Sequence, residues 1–443
     1  MITARFFTVA FLFVFFFVMH LCDLLGETSN KCEGTKCEYQ KYLYNSYSVT
    51  TITLNELKSK IAVSSAEPYD ETGKFYFYND LMFVNQPNKG LHILDVSDPS
   101  NFQNAKFLSM PGNIDVSVRN NMLYADVYSA LLAIDVSEIL NEKIKIVDTQ
   151  TEVFHYNHYQ EAWKYVEAHK PKNKLPKEIE YSELANIDGL GKTVFISGIE
   201  YNGVTCRCQP EIEPYSDRLY SSGVENVKNI SGQGGSVARF KVVDDYLYAL
   251  TENEIKTFKF KDDGTLQKWS SVVVGWGIET LYRLNEYLFI GSRRGMFMYD
   301  ISDAGNPTFI SQYEHVRACD PVVAQDNYAY VTLRSTNSWC AGGVNQLQIV
   351  DISNAAIPNL VSVYNMNAPY GLAIKQDYVF VCDADSGLKI FDVSDKKKPK
   401  VVHTISDINP RDIILRENIA YVVTTKGLAT YDISDISSPK RLK

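Results

Sequence analysis

The stretch from Lys389 to Pro399 reads KIFDVSDKKKP, and versions of it recur along the 443-residue chain. In each copy a short apolar run leads into an Asp-Val-Ser or Asp-Ile-Ser turn. The other clear copies are HILDVSDPSNF (92–102), AIDVSEI (133–139), MYDISDAGNP (298–307), IVDISNAAIP (349–358) and TYDISDISSP (430–439). A degenerate copy, TFKFKDDGTL (257–266), has Lys259 in place of the first aspartate. The chain therefore contains an internal repeat.

The repeats are evenly spaced. Asp351 and Asp392 are 41 residues apart, and Asp392 and Asp432 are 40 apart. Within one period, GLAIKQD, YVFVCDA, LKIFDVSD and KVVHTI form short apolar segments separated by turn residues. A period of about 40 residues with this content is typical of propeller blades, whose sheets bury both faces against their neighbours. We predict an all-β fold: a seven-bladed β-propeller of four-stranded blades, with an N-terminal signal or anchor segment and a partly helical insertion.

The aspartates and serines of the repeat are predicted to cap the turn between the third and fourth strands. Asp and Ser side chains accept hydrogen bonds from backbone N–H groups two residues further on, and a following proline ends the strand pairing. Calcium binding is the alternative, but an ion needs several oxygen ligands at one point, and one aspartate per blade spreads them around the ring. A structural role is favoured.

The repeat and several segments between its copies resemble the LVIVD-repeat family of extracytoplasmic bacterial β-propellers, which includes lipoproteins. The matching segments are NQPNKGLHILD (85–95), GNIDVSV (112–118), GGSVARF (234–240), GWGIET (275–280), CDPVVAQDNYAYVTLRS (319–335) and PYGLAI (369–374). The resemblance covers roughly residues 70–150 and 234–443. It implies a propeller outside the cytoplasm with the helical segment 54–61 packed against it, and it implies little about activity.

Residues 1–26 are interpreted as a signal peptide or lipoprotein anchor. Arg5 precedes an apolar run from Phe6 to Met19, which at about fourteen residues is shorter than a bilayer span. Cys22 is the predicted lipidation site, although Leu21 departs from the small residue expected before it. Plain secretion and an uncleaved anchor are the alternatives. We expect an extracytoplasmic, membrane-anchored protein, periplasmic or on the surface of a bacterium.

The remaining chain divides at breaks in the period. We predict an N-terminal arm with a short helix over 27–70, blades 1 and 2 over 71–150, an insertion over 151–233, and blades 3 to 7 over 234–443. The insertion follows from the spacing of Asp135 and Lys259, which is 124 residues where one period is expected. Insertions on a rigid scaffold often carry specificity.

The insertion contains HYNHYQEAWKYVEAHK (155–170), whose apolar residues fall on one side of a helix. We predict an amphipathic helix there. Its candidate metal ligands are His155, His158, Glu161 and His169. His155 and His158 would share a helix face, as ligation requires. Solvated side chains are the favoured alternative, and we predict no metal site.

Export changes how the eight cysteines are interpreted, because thiols outside the cytoplasm tend to pair. Cys319 and Cys340 flank the first two strands of one blade, and a disulfide between them is predicted. Four others could form two disulfides or, as an alternative, a zinc site: Cys32, Cys37, Cys206 and Cys208. Cys382 lies in a predicted second strand and is expected to be a buried free thiol.

Propellers bind ligands at the mouth of the central channel, where the first strands begin. Aligning the blades on their second strands places six residues at equivalent, channel-facing positions: Ile114, Ala238, Glu279, Asp320, Tyr370 and Arg411. The residues next to them include Asp115, Arg239 and Asp412. One hypothesis is a small-molecule or glycan pocket with Glu279 and Asp320 as polar anchors and Arg411 as a carboxylate or phosphate clamp. An ion-pair network that plugs the channel is the favoured alternative.

Composition limits the functions of the chain. It carries 44 Lys and Arg against 53 Asp and Glu, so a nucleic-acid partner is not expected. The sequence has no Gly-rich phosphate loop, Gly-x-Ser-x-Gly or HExxH motif, and we expect no cofactor. We predict a non-catalytic binding or assembly module for a protein or glycan at the cell envelope, anchored through its N-terminus. The alternative is an exported hydrolase or lyase that acts on glycans through Glu279 and Asp320.

Overall fold

The computed structural model describes residues 53–69, 72–154, 233–236, 238–316, 318, 321–335 and 343–443, and the backbone alone of 42–44, 48–52, 165–169 and 177–179. The chain forms two compact units. One consists of Met1–Thr50 and Glu167–Tyr215, and the other of Thr51–Val166 and Ser216–Lys443. In the first unit, Tyr42–Tyr44 pairs antiparallel with Lys177–Ile179.

The second unit contains seven four-stranded antiparallel blades in a ring, as predicted. Each first strand is innermost, because the first strands of neighbouring blades contact one another. The strands of blades 1 to 3 are Phe75–Tyr78, Leu81–Gln86, Gly90–Asp95 and Gln103–Ser109; Val116–Arg119, Met122–Val127, Ala130–Asp135 and Lys145–Gln150; and Phe240–Val243, Tyr246–Leu250, Glu254–Phe260 and Leu266–Val273. Those of blades 4 and 5 are Ile278–Leu284, Tyr287–Ser292, Gly295–Asp300 and Thr308–Glu314; and Val322–Gln325, Tyr328–Leu333, Gln346–Asp351 and Asn359–Asn365. Those of blades 6 and 7 are Leu372–Lys375, Tyr378–Cys382, Leu388–Asp392 and Lys400–Ile405; and Pro410–Arg416, Ile419–Thr424, Gly427–Asp432 and Lys440–Arg441.

The sheets are stabilised by packing against their neighbours, as the burial of their side chains shows. Successive side chains of a strand point to opposite faces, yet Val379, Phe380 and Val381 are all fully buried. Both faces of blade 6 are therefore covered. Every neighbouring pair of blades shares a hydrophobic cluster, including blades 7 and 1, where the Phe77 and Tyr421 ring centroids are 4.8 Å apart. The ring is closed by side-chain packing between two complete blades.

The repeated aspartates cap the turns between third and fourth strands, which confirms the structural prediction. In blade 6 the backbone N–H of Ser394 donates to Asp392 Oδ1 at 2.8 Å. The same bond forms in blades 1, 2, 4, 5 and 7. Hydrogen bonds from Ser394 favour the ionised form and hold the pKa of Asp392 below its usual range. In the degenerate copy, the Lys259 ammonium instead lies 5.0 Å from the Trp269 ring.

The helix predicted over 54–61 is confirmed. Helix α1 spans Leu54–Ser59 and begins with a capping box, in which the Thr53 side chain accepts from the Glu56 N–H and the Glu56 side chain accepts from the Thr53 N–H. Leu57 and Ile61 are buried in the cluster shared by blades 1 and 2. The following strand, Ala62–Ser65, pairs with the outermost strand of blade 1.

Part of the amphipathic helix predicted over 155–170 is wrong. Tyr165–His169 is a strand paired with Ser48–Ile52, consistent with the strand preference of Tyr165 and Val166. The segment 155–164 lies outside the described residues, as do the candidate ligands His155, His158 and Glu161. Gln233–Gly234 then pairs with the innermost strand of blade 1, so that blade carries six strands in all.

Cys382 is a buried free thiol at the end of the second strand of blade 6, as predicted, and burial raises its pKa well above the usual range. The remaining candidate cysteines lie outside the described residues: Cys22, Cys32, Cys37, Cys206, Cys208, Cys319 and Cys340. Their predicted lipidation and disulfides stay predictions. None of the helices in the described ranges is long and apolar enough to cross a membrane.

The meander order of the strands gives the ring two different faces. Connections between second and third strands, and between successive blades, lie at one end of the strands. We call this end the mouth face. The opposite end carries the Asp-Val/Ile-Ser turns and the short turns between first and second strands, and we call it the turn face. Phe154, the last described residue before the large insertion, belongs to a connection at the mouth face.

Candidate functional site

The predicted channel residues lie where the first strands begin, at the mouth face. Two backbone hydrogen bonds join inner strands there: the Leu281 N–H donates to the Ala238 carbonyl, and the Gly371 N–H donates to the Arg411 carbonyl. Asp320 lies outside the described residues. The others separate into two groups, one in blades 1 to 3 and one in blades 4 to 7.

The first group is a buried network around Asp115. The Lys74 ammonium lies 3.0 Å from Asp115 Oδ2, and both side chains are almost fully buried. The same oxygen accepts the Arg239 backbone N–H, and Asp115 Oδ1 accepts the Val116 N–H at 2.7 Å. The Arg239 guanidinium has a different partner: its Nη2 donates to the Leu250 carbonyl at 3.0 Å.

A second carboxylate completes this blade 1–3 network. Asp126 Oδ1 accepts the backbone N–H groups of Ile114 and Asp115 and the side-chain amide of Asn113, each at 2.9 Å. Asn85 Nδ2 in turn donates to Asn113 Oδ1 at 2.8 Å. The donors and acceptors of three blades are thus joined into one structure.

Burial shifts both titrating groups of the network toward their neutral forms. Desolvation lowers the pKa of Lys74 to about 8, although the charge of Asp115 partly offsets it. Desolvation likewise raises the pKa of Asp126 to about 6, against the hydrogen bonds that favour its ionised form. Such shifts occur at active sites, but here every bond described above is internal to the fold.

In blades 4 to 7 the carboxylates also have partners. Glu279 is 3 % exposed, and its Oε1 lies 3.0 Å from Nε of Arg293. Asp412 is fully buried, and the Ile413 N–H donates to it. The Asp383 carboxylate accepts the backbone N–H groups of Asn367 and Ala368 and forms a salt bridge with Lys389.

Within the part of the chain that is described, two arginines in blades 5 to 7 contact an aromatic ring instead of a carboxylate. The Arg334 guanidinium carbon lies 4.1 Å from the centroid of the Tyr370 ring, and that of Arg411 lies 4.2 Å from the same centroid. We call these three residues the arginine–tyrosine cluster. Among the described residues neither guanidinium forms a salt bridge, in contrast to Arg293. Burial lowers the pKa of Arg334, and the nearby Arg411 charge lowers it further, while Tyr370 and Glu279 raise it.

The site contains several residues that were not predicted from the sequence, and Lys74 and Arg334 illustrate why. Lys74 occupies the position in blade 1 that Asp115 occupies in blade 2, exactly one 41-residue period earlier, and extending the alignment into blade 1 would have found it. Arg334 follows the second strand of blade 5, where an insertion breaks the period, so no repeat position pointed to it. Within the described ranges, no cluster of three or more His, Cys, Asp or Glu residues could hold a metal ion.

Part of the sequence matches a known repeat family. The family model described as the LVIVD repeat matches residues 78–105, 284–315, 317–366, 370–407 and 409–442. A search of curated protein sequences found no match.

Several solved structures are similar to the chain at low sequence identity. BamB from Moraxella catarrhalis is 9 % identical, with a TM-score of 0.47 over 86 % of this chain and 95 % of that one. A protein from Lactobacillus plantarum is 10 % identical, with a TM-score of 0.47 over 78 % and 88 %. Saccharomyces cerevisiae Sqt1 is 8 % identical, with a TM-score of 0.45 over 85 % and 87 %.

The five matched repeats coincide with blades 1, 4, 5, 6 and 7, and the aspartate turns of the repeat are the turns between third and fourth strands. The chain therefore carries five LVIVD repeats, and each of them coincides with one blade of a seven-bladed β-propeller.

Proposed function

We propose that this chain is an exported, membrane-anchored module that binds a partner protein at its mouth face and catalyses no reaction. Export and anchoring rest on residues 1–26, whose charge, apolar run and Cys22 are those of a signal or lipoprotein segment. Binding rests on the site itself.

The observation that carries the proposal is the state of the mouth carboxylates. Asp115 is held by Lys74 and by backbone donors, and Glu279 is held by Arg293. Each carboxylate thus has at least one oxygen bonded inside the fold, whereas a general acid or base needs an oxygen within hydrogen-bond reach of its substrate. This arrangement favours a binding surface over an acid–base pair at Glu279.

An exposed aromatic residue on the same face supports binding to a macromolecule. Trp276 lies in the connection between blades 3 and 4, and its side chain is 75 % exposed. It is followed by Gly277, whose φ of 78° lies in the left-handed region. Tryptophan contributes strongly to protein interfaces because it buries a large area with little loss of side-chain freedom.

The test uses a photo-crosslinking amino acid at position 276 of the full chain in the cells that express it. Position 357 is the matched control, because Ile357 is 61 % exposed but lies on the turn face. We expect a specific protein adduct at 276, identified by mass spectrometry and lost when excess unlabelled chain is added. Equal adducts at both positions, or none at 276, would contradict the proposal.

A parallel assay addresses the enzyme alternative. Envelope glycans are incubated with the wild-type chain and with the Glu279→Gln variant, and products are measured by mass spectrometry. The proposal requires no product with either chain. Turnover by the wild type that disappears in Glu279→Gln would overturn it and support the hydrolase or lyase.

A further inference from the structure

Three successive blades of the propeller bring the arginine–tyrosine cluster together. Arg334 follows the second strand of blade 5, Tyr370 precedes the first strand of blade 6, and Arg411 lies in the first strand of blade 7. They are far apart in sequence, yet both guanidinium carbons lie within 4.2 Å of the Tyr370 ring centroid. The ring face attracts cations, so Tyr370 helps to hold two like charges near each other.

The cluster carries positive charge that the described residues leave without a bonded carboxylate. Lys74, Arg293 and Lys389 each have one within 3.0 Å, whereas Arg334 and Arg411 form no salt bridge in the described ranges. In the same part of the chain, the buried Nε of Arg411 has no hydrogen-bond acceptor. All three side chains remain partly accessible to solvent. The cluster is thus able to accept an anion.

The geometry of the groups limits the kind of anion. A guanidinium presents paired N–H donors in one plane, which match two oxygens of a carboxylate or of a phosphate. A carboxylate is chosen here because the mouth face is proposed to bind a protein. Both arginines lie on the mouth face, as does the exposed Trp276. The chain as a whole has a net charge of −9, so its bulk field repels an acidic ligand and any attraction must be local.

We propose that Arg334 and Arg411, positioned by Tyr370, bind carboxylate side chains of an acidic peptide segment in the partner protein. This inference rests on the proposed function, because it names the chemistry by which the mouth face recognises its partner. Trp276 would contact an apolar residue of the same partner, and the arginines would select for acidic residues.

The probe is a fluorescein-labelled hexaglutamate peptide, titrated with the full chain in detergent micelles and followed by fluorescence anisotropy at low salt. A hexaglutamine peptide is the ligand control. We expect hexaglutamate to bind and hexaglutamine not to bind. Arg334→Gln and Arg411→Gln should each weaken binding by roughly tenfold, because a hydrogen-bonded charge pair is lost.

The chain offers a matched protein control. Arg416 lies at the other end of the strand that contains Arg411, and its guanidinium carbon is also 4.2 Å from an aromatic centroid, that of Phe77. It belongs to the turn face, so Arg416→Gln should leave hexaglutamate affinity unchanged. Arg411→Lys keeps the charge without the planar fork and should give an intermediate loss. Unfolding temperatures of all variants establish that each is folded.

Three results would overturn the inference: no hexaglutamate binding by the wild type, equal losses in Arg411→Gln and Arg416→Gln, or tighter binding of polygalacturonate or inorganic phosphate than of hexaglutamate. The crosslink at position 276 separates the two proposals. If it persists in the Arg334→Gln, Arg411→Gln double variant with unchanged yield, the mouth face binds a partner but not through these arginines. If no crosslink forms in the wild type, the binding module itself is wrong.

Discussion

The blade 1–3 network and the arginine–tyrosine cluster lie on one face of one ring, yet they hold their charges in opposite ways. In the network, the Lys74 ammonium forms a salt bridge with Asp115. The carboxylates of Asp115 and Asp126 also accept backbone N–H groups. In the cluster, Arg334 and Arg411 contact an aromatic ring and form no salt bridge among the described residues. A buried network of mutual hydrogen bonds fixes the structure around it, while cations that form no salt bridge can still accept an anionic ligand.

If the network stabilises the fold, Asp115→Ala should lower the free energy of unfolding more than any other substitution considered below. This change removes the carboxylate that lies 3.0 Å from the buried Lys74 ammonium. Breaking one half of a buried pair should lower the free energy of unfolding by about 3–5 kcal/mol, measured by urea unfolding. The double variant Lys74→Met, Asp115→Leu removes both charges of the pair and should lose less. A loss below about 1 kcal/mol in Asp115→Ala would remove the distinction between the two regions.

The raised pKa of Asp126 predicts that the stability of the folded chain depends on pH. Its pKa is raised to about 6 in the folded chain. As the pH rises from about 4 to 6, Asp126 ionises in the unfolded chain before it ionises in the folded chain. The folded chain therefore loses up to about 2–3 kcal/mol of its free energy of unfolding over this range. Asp126→Asn cannot ionise and should gain stability relative to the wild type between pH 4 and pH 7. Urea midpoints at both values test this, and a constant difference would contradict the prediction.

Asp392, a turn carboxylate outside both regions, gives a reference value for the loss of a single hydrogen bond. Asp392→Ala removes the acceptor of the Ser394 N–H at 2.8 Å on the turn face. We expect a loss of about 1 kcal/mol, typical of one hydrogen bond. Thermal unfolding measures it, and Asp392→Asn, which keeps an acceptor oxygen, should lose less. A loss of stability as large as that of Asp115→Ala would show that burial of the carboxylate does not determine how strongly its removal destabilises the chain.

The smallest effect is expected for Arg411→Gln. It loses a cation–π contact of about 0.5–1 kcal/mol but also separates Arg334 from a like charge, so the two changes partly cancel. The unfolding temperature should stay close to that of the wild type, with Arg416→Gln measured alongside. Strong destabilisation would assign Arg411 to the scaffold and weaken its role in ligand binding.

The sequence predicted the fold well because the repeat encodes contacts within one blade. The turn at Asp392 depends on residues two positions apart, so the local pattern is sufficient. The network depends on contacts between blades, such as Lys74 with Asp115, which local patterns do not show. Arg239 was predicted from its repeat position, but its side chain binds the Leu250 carbonyl. Arg334 lies at an insertion, where the period that guided the alignment is lost.

Each blade other than blade 1 is built from one unbroken stretch of chain, and this has an evolutionary consequence. A single in-frame duplication or deletion of about one period would add or remove a whole sheet without separating any paired strands. The joint between blades 7 and 1, made of side chains such as Phe77 and Tyr421, would need only to be repacked. Related chains can therefore differ in ring size by whole units, and the diameter of their central opening can change in a single genetic step.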